Sequence, residues 1–142
     1  MVNPPLLSIV DDDAAVRKSL RGLIRSVGYT ARVFASAEEF LRSEHRRETS
    51  CLILDVRMPG MNGLELQRRL IADGDEIPVI FITAHGDAAA RSQALEDGAV
   101  EYLFKPFGED ALLKAIRAAL GARDGEREVD SKRFEPREEV SR

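Results

Sequence analysis

The stretch Cys51-Leu52-Ile53-Leu54-Asp55-Val56-Arg57-Met58-Pro59-Gly60-Met61-Asn62-Gly63 decides the fold. Four apolar residues in succession, with no polar alternation, are the pattern of a strand covered on both faces, and such strands belong to parallel sheets. The run stops on a carboxylate, Asp55. A turn-rich loop follows, in which Pro59 fixes one φ and Gly60 and Gly63 permit positive φ. Gly63 to Ala72 then carries Leu64, Leu66, Leu70 and Ile71, which reads as a helix.

The same strand–loop–helix unit recurs on either side. Leu6 to Val10 is a buried strand ending in Asp11-Asp12-Asp13, with Asp13 placed to start the helix that follows. Val16, Leu20, Leu23, Ile24 and Val27 recur at helical spacing until Gly28 stops them. Thr30 to Phe34 forms a second strand; Ser36 caps a short helix, Glu39 completes a capping box, and Phe40 and Leu41 supply its apolar side. Pro78 to Ile82 is the next buried strand, ending at Thr83. Asp87 to Asp97 is an alanine-rich helix closed by Gly98, with few large apolar groups. Val100 to Phe104 makes a fifth strand ending at Lys105-Pro106. In Glu109 to Leu120 the stripe Leu113, Ile116, Leu120 faces the core, and Leu112, beside it, reads as an exposed anchor. Five units in strict alternation predict an α/β fold, a doubly wound parallel sheet with helices on both faces.

A chain of 142 residues suits one core. Residues 1–121 hold the domain. In 122–142 the character changes: from Gly121 to Arg142, 13 of 22 residues are charged, so the segment is expected to be a solvated tail or linker, with the last helix able to continue into it. A net charge of -4 argues against a dominant nucleic-acid surface. The single cysteine, Cys51, excludes an internal disulfide, and His45 and His85 stand too far apart to make a metal motif. No apolar run is long enough for a membrane span, so a cytoplasmic protein is expected.

In a doubly wound sheet, function gathers outside the carboxyl ends of the strands. Here those ends carry Asp11-Asp12-Asp13, Asp55, Thr83 and Lys105. Carboxylates crowded at about 4 Å repel by about 1 kcal/mol per pair in water and about 4 at an effective dielectric of about 20. Such a cluster is stable if it binds a hard cation or stays partly protonated; Mg2+ suits it and leaves a place for a phosphoryl oxygen. Helix capping alone explains Asp13 but not the acid, hydroxyl and ammonium ending the other strands.

Ile9-Val10-Asp11-Asp12-Asp13, Asp55 to Gly63, Ile82-Thr83-Ala84 and Lys105-Pro106-Phe107 together resemble the receiver domain of bacterial two-component response regulators, over about residues 5–120. His85-Gly86-Asp87 with Lys105-Pro106-Phe107 is most similar to receivers of the nitrogen-fixation and nodulation type, whose full-length members usually carry a helix-turn-helix DNA-binding domain. The resemblance implies a flavodoxin-like strand order 2-1-3-4-5. Asp55 would accept a phosphoryl group from a histidine kinase or phosphotransfer protein. Asp12 and Asp55 would hold Mg2+ directly, Asp11 largely through water, and the Arg57 carbonyl would be a further ligand. Lys105 and the Thr83 hydroxyl would contact phosphoryl oxygens. Tyr102 would couple Thr83 to the fourth-helix, fifth-strand and fifth-helix face, where a homodimer or partner would form; a strand tyrosine with its hydroxyl in solvent is the plainer alternative. Such a chain is a stand-alone receiver or part of a larger transcriptional regulator, and is not an enzyme beyond its own phosphorylation and dephosphorylation. The competing readings are a receiver-like interaction module that never takes phosphate and a Mg2+-dependent phosphohydrolase with an aspartate nucleophile.

Overall fold

The computed structural model describes residues 4–84 and 87–132, with backbone alone from residue 122 on. Strands β1 (Leu6–Val10), β2 (Thr30–Phe34), β3 (Cys51–Asp55), β4 (Val79–Thr83) and β5 (Glu101–Phe104) form one parallel sheet in the order β2-β1-β3-β4-β5, as expected. Helices α1 (Ala14–Ser26), α2 (Ala37–Arg42), α3 (Gly63–Ala72), α4 (Ala88–Glu96) and α5 (Glu109–Lys132) alternate with them, and a 3₁₀ turn, Arg46–Glu48, precedes β3.

Strands β1, β3 and β4 are buried throughout, so each supplies both faces. Leu7, Ile9, Cys51, Ile53, Ile80 and Ile82 pack with Leu20 and Ile24 of α1 and with α5. Val10, Leu52, Leu54 and Phe81 pack with Phe40 of α2, Leu66 and Leu70 of α3 and Ala94 of α4. Full burial of one such aliphatic side chain contributes about 1.5–3 kcal/mol. Two apolar layers therefore clamp the sheet, and its central strands end at fixed heights on one rim. At the opposite rim Arg46 bridges Asp73 and Asp75, each at 2.6 Å, tying the 3₁₀ turn to the α3–β4 connection.

Three local expectations change. Leu112 is fully buried, not an exposed anchor: the α5 stripe is Leu112, Ala115, Ile116 and Ala119, and Leu113 and Leu120 flank it half-buried. The two alanines, small enough to be overlooked in an apolar pattern, move the centre of the stripe back by one residue. Val27 is 45% exposed because it is the C-cap of α1, past the helical periodicity, with Gly28 at φ 98° beyond it. The Ser36 hydroxyl does accept from Glu39 N, at 3.0 Å, but the Glu39 carboxylate accepts from Ala35 N at 2.7 Å, one residue earlier than in a capping box. The reciprocal box belongs to α3, between Asn62 and Glu65. Helix α5 continues to Lys132, well into the charged segment; residues 133–142 and His85 lie outside the described residues.

Candidate functional site

The carboxyl ends of β1 and β3, adjacent in the sheet, bring Asp11, Asp12 and Asp55 together. Each offers an oxygen, and these oxygens lie within 4.8 Å of one another. Asp11 is fully buried, held by a bond from its own N–H to the Phe34 carbonyl (3.1 Å). Its Oδ1 accepts from Asp13 N at 2.9 Å and its Oδ2 takes the Lys105 ammonium at 2.9 Å. A buried charge needs such pairing and hydrogen bonding to be tolerated. The Arg17 guanidinium donates to the Asp11 carbonyl at 2.7 Å, fixing the turn from β1 into α1. Asp12 is exposed, and Asp13 serves as the N-cap of α1 through Ala15 N and Val16 N, as expected.

Asp55 ends β3 with 5% exposure, its Oδ1 accepting from Arg57 N at 3.3 Å. Burial pushes its carboxyl up to about 7; the Asp11 charge adds to this, the Lys105 ammonium and the Arg57 N–H oppose it, and Asp12 adds a smaller push. Thr83 is buried at the end of β4, one residue beyond Ile82, the register partner of Asp55. Lys105 reaches the rim after β5, where its N–H donates to the Thr83 carbonyl at 2.7 Å; the Lys105–Pro106 peptide is cis. Lys105 thus stands at the acidic cluster, paired with Asp11.

The loop after Asp55 is set by two glycines for different reasons. Gly60 adopts φ 74°, as the turn chemistry suggests. Gly63 does not: a Cβ there would overlap the Asp55 carbonyl oxygen and stand 3.0 Å from Val56 Cα, so the start of α3 needs glycine for close approach to β3. Glu38 of α2 completes the loop by accepting from Met61 N at 2.9 Å, and that backbone bond holds its carboxyl below the usual range. No local pattern in the sequence marks Glu38, because its partner lies in another βα unit.

Tyr102 is 3% exposed and faces inward, its ring tilted against Phe81 and edge-on to Phe104 at ring-centroid distances of 5.9 and 5.4 Å. Its hydroxyl is buried, with no hydrogen-bond partner among the described residues, which overturns a hydroxyl in solvent. The ring borders a cleft of about 340 Å³ lined also by Arg57, Met58, Asp87 and Ala90, next to Asp55 along the chain. Ala84 is exposed beside Thr83.

The donor set suits a hard cation: clustered carboxylate oxygens with no nitrogen or sulfur ligand among them.

The family model described as response regulator receiver domain matches residues 7–117. Response regulator protein TodT of Pseudomonas putida is 50% identical over 115 residues, covering 81% of this chain and 51% of that protein. Nodulation protein W of Bradyrhizobium diazoefficiens is 46% identical over 114 residues, 80% of this chain and 50% of its own length. This chain therefore spans about half the length of the curated relatives it matches. Among solved structures, the response regulator StyR superposes with a TM-score of 0.82 at 46% identity, covering 92% of this chain and 66% of that one. The structure titled FixJ-N gives 0.76 at 36% identity, covering 84% and 96%.

Proposed function

The chain belongs to the response regulator receiver family of two-component signalling, and on that premise we propose that Asp55 is its phosphoacceptor. The observation that carries the reading is the gathering of Asp11, Asp12 and Asp55 oxygens within 4.8 Å of one another, with Lys105 held at the same cluster. Asp12 and Asp55, with the Arg57 carbonyl and with Asp11 acting largely through water, would hold Mg2+. A bound divalent ion would supply neutralisation of carboxylate and phosphoryl charge.

An ionised Asp55 oxygen attacks the phosphorus of a phosphohistidine on a partner kinase or phosphotransfer protein. The new O–P bond forms as the P–N bond breaks, and the imidazole leaves with the bonding pair and takes up a proton. Lys105 exchanges Asp11 for a phosphoryl oxygen, as a point charge on a flexible stem can. The Thr83 hydroxyl donates to another oxygen. Little covalent chemistry is asked of the protein beyond positioning and charge.

Tyr102 carries the change outward: among the described residues no hydrogen bond anchors its hydroxyl, and its ring borders a cleft into which it can shift in response to Thr83. The α4, β5 and α5 face is then the dimer or partner surface, with Phe104 (44% exposed) in the anchoring role that the buried Leu112 cannot take. Residues 1–121 act as the receiver and 122–142 as the connection to whatever follows in a longer regulator, where DNA binding would reside. The net charge of -4 supports a receiver that does not itself grip nucleic acid. Among the described residues no helix is long and apolar enough to cross a membrane, and we place the protein in the cytoplasm with its kinase partner. A switch of this kind catalyses only its own phosphorylation and dephosphorylation.

Incubation with acetyl phosphate and Mg2+, followed by intact-mass measurement, tests the assignment. One added phosphoryl group on the wild type and none on Asp55→Asn is expected. Equal uptake by the variant, or uptake unaffected by chelation, would remove it.

A further inference from the structure

Strand β2 is an edge, paired with β1 on one side only. Thr30 N donates to the Pro5 carbonyl and the Phe34 carbonyl accepts from Asp11 N, so even-numbered residues of β2 turn their main chain toward β1 and its flanks. By the alternation of a parallel ladder, Ala31 and Val33 turn their N–H and C=O groups outward. A groove of about 280 Å³ lies along this edge, lined by Arg21 of α1, residues 31–34, and Ser43 and His45 after α2. Because α1 and α2 cover opposite faces of the sheet, the groove is a slot with one wall from each helical layer.

The α1 wall of the slot is basic, while the far wall holds exposed Glu44 between Ser43 and His45. Helix α1 carries Arg17, Lys18, Arg21 and Arg25 and no acidic residue, in a chain of net charge -4. Lys18, Arg21 and Arg25 recur at steps of three and four along an exposed helical stripe, and Arg32 stands exposed on β2 itself. Among the described residues none of these four has an ion-pair partner. His45 rests against Glu48 at 3.2 Å, so the cations that dominate the slot are Arg21 and Arg32. Charged side chains on an edge strand repel a second copy of the same edge. They do the reverse for a strand of opposite charge.

We infer that the β2 edge is a docking slot for an acidic, extended segment of a partner protein, which adds to β2 as a further strand and sets carboxylates against Arg21 and Arg32. Main-chain bonds to Ala31 and Val33 supply affinity, and the alternate side chains, meeting the α1 wall on one face and Ser43 and His45 on the other, supply specificity. A nucleic-acid duplex would satisfy the cations but offers no main chain to pair with the edge.

The test uses the full chain and a fluorescein-labelled peptide of alternating Val and Glu, read by anisotropy and by amide chemical shifts. Saturable binding is expected, with shifts centred on Ala31 and Val33. The pair Arg21→Glu, Arg32→Glu should weaken binding about tenfold or more, since opposed rim charges dominate such encounters. Uptake of phosphate at Asp55 in that variant verifies that it is folded. A Val–Lys peptide, and a Val–Glu peptide N-methylated at alternate residues, should both fail to bind. The inference is overturned by absence of saturable binding, by undiminished binding to the charge-reversed variant, or by equal binding of the N-methylated peptide. Shifts centred elsewhere, or duplex DNA competing as well as the peptide, would overturn it too.

Discussion

Asp55 is held in a place where its own charge is unwelcome. With its folded-state carboxyl pushed up to about 7 by burial and by Asp11, and an ordinary value near 4 once unfolded, the folded state binds the extra proton between those limits. Stability therefore falls as pH rises through that window, and is restored toward acid. Asp55→Asn removes the penalty, so in chelator it should melt higher than wild type at about pH 8, with the advantage shrinking toward about pH 5. An advantage independent of pH would contradict this origin of the shift. The acids, Thr83 and Lys105 are legible in the sequence because each ends a strand and the alternation of units puts all strand ends on one rim. What the sequence does not disclose is partnership: that Lys105 rests on Asp11, that Glu38 holds Met61 N, and that Gly63 is required by the Asp55 carbonyl rather than by its φ.

Among the elements, α5 and α4 show where periodicity succeeds and where it has little to say. The apolar period of α5 is plain, but its centre depends on Ala115 and Ala119, whose burial no hydrophobicity pattern emphasises. Leu112→Ala should cost about 2–5 kcal/mol in urea denaturation, and Leu113→Ala distinctly less. The reverse ranking would restore the stripe first read from the sequence. Helix α4 has no such face: Ala94 is its one buried residue, its caps are Asp87 and Asp97, and the Gln67 amide donates to the Ala94 carbonyl at 3.1 Å. An element with so few buried apolar contacts opens locally at low cost. Its amides should exchange with deuterium faster than those of α1 and α3; protection equal to α3 would mean that the Gln67 bond and caps suffice.

At the scale of the whole molecule, two apolar layers hold five strand ends so that mutually repelling carboxylates share one pocket, and a cation binding only the folded state must stabilise it. Mg2+ at about a hundred times its dissociation constant should add about 2.7 kcal/mol. Asp12→Ala should blunt that gain at the same concentration; an undiminished gain would place the ion elsewhere. The central claim, that phosphorus comes to Asp55 in this pocket, is tested most directly by borohydride reduction after treatment with acetyl phosphate and Mg2+, followed by peptide mapping. Reduction of an aspartyl phosphate leaves homoserine, expected at position 55 alone and lost on chelation; homoserine at position 11 or 12, or phosphate uptake with none at 55, would contradict it.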